Sequence, residues 1–302
     1  MIAKALTSGL CCLLFTCNSP AAEADAAKPT SGPEALLKKL DPFYKQHVVA
    51  EGLLIVCSEK VSKHALHETA HLAKQMLVHR PDVFRTLREH NAYVGVMAYN
   101  EMTTDIPECR GMGPWWDKRA RGLGGNPVTC AEENLLSFQG DPYRGENIFI
   151  HEFAHGLHAA FARLDEQFNP RLMKLYEAAK ETGRFRGYGM NNPGEFWAEG
   201  VQSWFDCNRR GGLELREEDG RHKESLNTRE SIETRLPGLA KLLDEAFAGN
   251  RWVYVPVAKR LDQPHLKGYD PAKAPTFRWP PGVVEAFNRI EAEKRKKREE
   301  GR

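Results

Sequence analysis

Residues 146–164, ENIFIHEFAHGLHAAFARL, decide how this chain of 302 residues folds. Placed at about 100° per residue, Phe149, Ile150, Phe153, Ala154, Leu157, Ala160, Phe161 and Leu164 form a broad apolar face. The arc that carries His151 and His155 contains no Lys or Arg until Arg163. A helix apolar nearly all round belongs in the interior of a domain. Its two histidines and Glu152 are therefore expected to be buried together, which is costly unless a cation satisfies them. Gly156 leaves room for another element, such as a substrate strand, to come close.

Toward the N-terminus, EALLKKLDPFYKQHV reads as a helix, GLLIVCS as a buried strand, SKHALHETAHLAKQMLVH as a helix, and AYVGVMAY as a second strand after a short helix from Pro81. NLLSF reads as a further strand, beyond a loop rich in Gly, Trp and Arg. Toward the C-terminus, helices are expected at PRLMKLYEAAKE, at PGEFWAEGVQSWFDC with Pro193 at its start, and at TRLPGLAKLLDEAFAG. The closing FNRIEAEKRKKREEGR reads as a charged, solvated tail. Strands gather in the first half and helices in the second, which predicts an α+β architecture, a small sheet with helices packed against a mostly helical half.

The pattern H-E-x-x-H occurs twice, as HETAH at His67 to His71 and as HEFAH at His151 to His155. Residues four apart share one helix face, so two imidazoles can reach one ion while the intervening Glu flanks the open coordination position. The rest of each helix separates the copies. In the first, Val61, Ala65, Leu72, Ala73, Met76 and Leu77 make the apolar arc, and His64, His67 and His71 fall opposite with Glu68, Lys63, Lys74 and Gln75. That face is expected to meet water, its lysines opposing a dication. The second copy is the expected metal site.

Zinc catalysis needs three protein ligands and an open position for water. In YGMNNPGEFWAEGVQSWF, Glu195, Glu199, Gln202 and Asp206 share a stripe of a helix whose other faces carry Phe196, Trp197, Val201, Trp204 and Phe205. Glu195 is the expected third ligand. Glu199, one turn on, is expected to accept the second imidazole N–H of a ligand histidine. NEMTTD, Asn100 to Asp105, mimics a third-ligand segment but follows a strand directly, so Glu101 and Asp105 are read as loop residues. His at 158 and Phe at 161 break the pattern H-E-x-x-H-x-x-G-x-x-H, and His158 is expected to be packed or to contact a ligand from outside.

HEFAH, a long insertion, and Tyr188 seven residues before EFWAE resemble the gluzincin peptidases, most closely the catalytic domain of anthrax lethal factor and the Pro-Pro endopeptidases. The resemblance covers residues 146–206. It implies a zincin-like catalytic half in which His151, His155 and Glu195 bind Zn²⁺, Glu152 is the general base and Tyr188 donates to the oxyanion. Segment limits follow: a signal peptide over 1–24, a linker over 25–33, an N-terminal α/β part over 34–140, a helical zinc-binding catalytic part over 141–280 and a charged tail over 281–302.

A formal charge of +2, with basic residues scattered outside the extreme C-terminus, points to neither nucleic acid nor an anionic membrane as the main partner. The first residues carry Lys4, an apolar run from Ala5 to Phe15 and then small residues, which reads as an export signal and predicts a periplasmic, cell-surface or extracellular protein. That run is too short to span a bilayer, and no transmembrane segment is expected. Phe15 and Thr16 sit where a lipoprotein cleavage box uses smaller residues, so free secretion is preferred over a lipid anchor at Cys17. Removing the signal with Cys11, Cys12 and Cys17 leaves Cys57, Cys109, Cys130 and Cys207. A Cys109–Cys130 disulfide is favoured, because it would tie down the irregular loop between them.

The expected function is an exported zinc metalloendopeptidase that hydrolyses protein or peptide substrates by a metal-activated water, with Glu152 as base. Two alternatives stay open: a zinc-containing binding protein at the cell surface that hydrolyses nothing, and a zinc hydrolase of a non-peptide amide.

Overall fold

A computed structural model describes residues 32–217 and 222–300. The expected signal peptide, nearly all of the linker, and Cys11, Cys12 and Cys17 lie outside the described residues.

The chain opens with a short helix α1 (Pro33–Leu37), then β1 (Gln46–Ala50) and β2 (Leu53–Cys57). Helix α2 (Lys63–Met76) starts where the Ser62 side chain accepts from the His64 N–H, and α3 (Pro81–Glu89) has Pro at its first turn. β3 (Tyr93–Met97), α4 (Trp115–Arg119), β4 (Val128–Ala131) and α5 (Glu132–Leu135) complete the first half. Two expectations fail here. QHVVA is a strand, because it pairs antiparallel with β2, and NLLSF is not one, because the strand is VTCA just before it.

The second half holds α6 (Ile148–Leu164), α7 (Phe168–Glu181), β5 (Phe185–Arg186), α8 (Pro193–Trp204), β6 (Glu214–Arg216), β7 (Lys223–Ser225), α9 (Arg229–Arg235), α10 (Pro237–Ala246) and α11 (Pro281–Glu300). The three short strands β5, β6 and β7 form an antiparallel sheet of their own, which the helical reading of this half did not include. The fold is α+β.

The larger sheet has the order β1-β2-β3-β4, with β2, β3 and β4 parallel and β1 antiparallel at one edge. Alternation along β2 sends Leu53, Ile55 and Cys57 into the main core and Leu54 and Val56 to the other face, under Leu36, Leu37, Leu40 and Phe43. Both faces are covered, as parallel strands require. The main core runs on without a break through α6, α8 and α10, so the two halves share one interior.

The same alternation rules out the favoured disulfide. Cys130 points into the main core, whereas Cys109 packs with Met97, Ile106 and the neighbouring Ala131 on the opposite face of β4. Cys57, Cys109, Cys130 and Cys207 are buried thiols. The C-terminal tail also differs from its reading. Although no residue of α11 is buried, Trp115 of α4 stacks on Phe287 and donates its indole N–H to Glu291 at 2.7 Å.

Candidate metal centre

Two asparagines set the frame of the site. The Asn147 side chain caps α6 by accepting from the Ile150 N–H at 3.0 Å, and Asn192 caps α8 by accepting from the Glu195 N–H at 2.9 Å. Glu195 therefore sits in the first turn of α8, just past Pro193. The Trp197 indole N–H donates to the Ala154 carbonyl at 2.8 Å, fastening α8 across α6 between the two histidines.

This crossing brings Glu195 Oε2 to 3.1 Å from His151 Nε2 and 3.4 Å from His155 Nε2. Among the described residues, His151, His155 and Glu195 form the one group of three His, Cys, Asp or Glu side chains whose ligand atoms all lie within 4.8 Å of one another. Donors bound to one tetrahedral ion at about 2.1 Å stand roughly 3.4 Å apart. The two imidazole nitrogens and the carboxylate oxygen fit such an ion, which would sit between them after small side-chain adjustments.

The surroundings favour positive charge. Burial works against an imidazolium at His151, but Glu195, Glu152 and Glu199 outweigh it and push the residue up to about 10. Burial likewise opposes the Glu195 carboxylate, yet hydrogen bonds from His151 and His155 hold it well below the usual range. Farther from the pair, burial wins. Glu152 and Glu199 are both raised, and Glu146, with Arg209 only partly offsetting burial, is pushed up to about 7. Four carboxylates gathered around two histidines are a setting that a dication relieves.

The partner of His151 is not the one expected. His151 Nδ1 lies 2.9 Å from Gln202 Oε1, whose own amide donates to the Asn147 carbonyl at 3.0 Å. Since a Gln oxygen can only accept, Nδ1 carries the proton and Nε2 is left to a metal. Glu199 instead accepts from the Asn208 amide at 2.8 Å, and it lies against Gly212. Gln202 shares the acidic stripe of α8, so its position was legible; its choice over Glu199 was not.

Tyr188 follows Gly187, whose φ of 98° turns the chain where a Cβ would strike the Gly212 carbonyl. Its ring centroid lies 6.2 Å from that of His151, and its phenol is 3.4 Å from Arg119 Nη2. Burial raises the phenol pKa first of all, Glu195 adds to the rise, and Arg119 opposes it. Arg119 lies in the segment read only as a loop rich in Gly, Trp and Arg, and its contact with Tyr188 joins residues far apart in the chain.

Over α6 runs the glycine-rich loop. A Cβ at Gly122 would meet Ile148 at 2.6 Å and Glu152 at 3.0 Å, and one at Gly124 would meet His155 Cβ at 2.5 Å. Only glycine lets this backbone pass so close to Glu152 and His155. Gly156 has the same purpose, but its neighbour is Val128 of β4 rather than a substrate. Beyond His155 the surface opens into a cleft of about 180 Å³, with Leu87, Tyr93, Val128, Phe153 and Ala160 in its lining. His158 is packed against Phe168 and Trp197, its Nε2 2.7 Å from Asn169 Oδ1.

The first H-E-x-x-H is a structural joint. Glu68 is fully buried, and Arg260 donates to both of its oxygens while His265 Nε2 lies 2.9 Å away. His71 stacks on His265 with ring centroids 4.2 Å apart, and burial, then the charge of His265, pushes it down to about 4. His64 Nε2 is 3.2 Å from the Lys267 carbonyl. Of the face expected to meet water, His67 does so, while Glu68 and His71 are covered by the segment from Val257 to Tyr269. Helical periodicity cannot foresee a distant segment laid across a polar face. Glu101 is a loop residue, as read, whereas Asp105 closes a short 3-10 turn, Thr103–Asp105; they accept from the backbone N–H groups of Ala98 and Met102.

Compared with known proteins, the chain matches no family model and no curated sequence. Among the described residues, no helix is long and apolar enough to cross a membrane.

Proposed function

We propose that this chain is an exported zinc-dependent metalloendopeptidase. One observation carries the reading: the donor atoms of His151, His155 and Glu195 converge within 4.8 Å at a point flanked by Glu152 on the same helix and Tyr188 on the facing segment. The export half of the reading rests on the sequence of residues 1–24. His151, His155 and Glu195 would hold the zinc, which supplies Lewis acidity, lowering the pKa of water toward neutrality and polarising the scissile carbonyl. Glu152 takes the proton from water and hands it to the leaving amine. Tyr188 donates its O–H to the oxyanion that forms at the carbonyl. Gln202 fixes the tautomer of His151, and the apolar cleft beside His155 can take an apolar group of the substrate.

Metal analysis of the purified chain followed by digestion of a peptide library, with and without chelator, tests the proposal. Stoichiometric zinc and chelator-sensitive internal cleavage are expected. Zinc without cleavage of any peptide refutes the peptidase reading in favour of a binding protein or an amide hydrolase, and absence of zinc binding removes all three.

A further inference from the structure

We propose that Arg119 is a positioning residue for Tyr188, seating the phenol so that its O–H is aimed at the developing oxyanion; the inference rests on the hydrolase reading above. Arg119 closes α4, with Nη2 3.4 Å from Tyr188 Oη and its guanidinium carbon 6.0 Å from the ring centroid. An N–H donated to the phenol oxygen occupies one of its lone pairs, so the phenol proton is directed elsewhere. The adjoining cation also makes that O–H a stronger donor.

A guanidinium on a five-residue helix can position another side chain only if the helix is itself held. Trp115 is stacked on Phe287 at 5.9 Å, donates to Glu291 at 2.7 Å, and has Lys294 Nζ over its ring at 3.6 Å. Lys118 Nζ lies 4.3 Å from the Trp279 ring, and Asp117 accepts from the Thr104 N–H at 2.8 Å. The C-terminal helix α11 and Trp279 thus brace α4 through Trp115 and Lys118, which gives the charged tail a purpose, to hold Arg119 over the site.

The test compares Arg119→Met, Arg119→Lys, Tyr188→Phe and the double variant Arg119→Met/Tyr188→Phe as full-length zinc-loaded proteins. Arg119→Met is expected to lower kcat on the order of 10-fold with KM nearly unchanged, and Arg119→Lys to recover part of the loss. In the Tyr188→Phe background the same change is expected to cost little, since the two residues act as a unit. A readout independent of turnover is ¹⁹F NMR of protein labelled with fluorotyrosine, with Tyr188→Phe assigning the resonance. Arg119→Met should displace the Tyr188 resonance, and Arg119→Lys should displace it less. An unmoved resonance, or an equal kcat loss on both backgrounds, overturns the proposal. If the wild type binds zinc and cleaves nothing, the hydrolase reading fails, and the resonance by itself decides whether Arg119 seats the phenol.

Discussion

Replacing Gln202 by Leu probes the centre where its structure departs most from its sequence. The substitution removes the acceptor 2.9 Å from His151 Nδ1 and the donor 3.0 Å from the Asn147 carbonyl, at a side chain with no solvent exposure. His151 Nδ1 is left unpaired, while the Asn147 carbonyl keeps the His151 N–H at 3.4 Å, so unfolding in urea should report a loss of about 1–3 kcal/mol. The imidazole also loses the partner that fixes its tautomer. Losing such a partner typically weakens metal affinity 10- to 100-fold, or about 1.4–2.7 kcal/mol. Competition titration against a chromophoric chelator at a fixed pH measures this directly, on protein shown to be folded by circular dichroism. Glu199→Gln serves as the contrast, because Glu199 engages Asn208 rather than a ligand histidine and should leave zinc affinity close to that of the wild type. A folded Gln202→Leu protein with unchanged zinc affinity, or a larger loss in Glu199→Gln, would refute the assignment.

Other outcomes follow from the same geometry. Glu152→Gln should keep its zinc and lose turnover by at least about 10²-fold, checked by metal analysis beside a peptide assay; retention of full activity removes Glu152 from the role of base. Tyr188→Phe should lower kcat on the order of 10²-fold while KM changes little. Zinc content should survive His67→Ala and collapse in His151→Ala; the reverse pattern would move the metal site to the first motif. Glu68→Gln strands Arg260 in the interior and should cost about 3–5 kcal/mol in denaturant unfolding without altering the number of zinc ions bound.

Acid sensitivity has a definite sign. Burial alone would raise Glu68, but His265 and Arg260 reverse it and leave the folded pKa lowered, so its contribution is present at neutral pH and is lost as pH falls below the ordinary glutamate value and through the lowered folded one. His71, pushed down to about 4, is neutral in the fold while the unfolded chain takes up a proton near pH 6.5, which costs stability in the same direction over that interval. Unfolding free energies should therefore fall between pH 7 and pH 4 through His71, and below that interval they should fall less steeply in Glu68→Gln than in the wild type.

Local patterning carried much of this protein. The apolar arcs of α2 and α6, the β-branched runs of β2 and β3, and Pro193 opening α8 follow from side-chain spacing and backbone restriction, which act over a few residues and are written in the chain. The same periodicity gathers His151, His155, Glu152 and Glu195 as candidates. It fails where neighbours in space are far apart in sequence. QHVVA becomes a strand because β2 offers it an edge, and Cys109 and Cys130 stay apart because β4 directs successive side chains to opposite faces.

By itself, the sequence determined most of the helices, the central strands β2 and β3 and the donor types, since hydrophobic period and ligand chemistry are local properties. Tertiary structure alone decided who partners whom. The angle at which α8 crosses α6 hands His151 to Gln202 instead of Glu199, the brace of α11 on α4 carries Arg119 to Tyr188, and the return of residues 257–269 across α2 turns one H-E-x-x-H into a buried ion pair. Each is a contact over tens to hundreds of residues. Its energy depends on the packed arrangement of every element between, which no stretch of sequence contains.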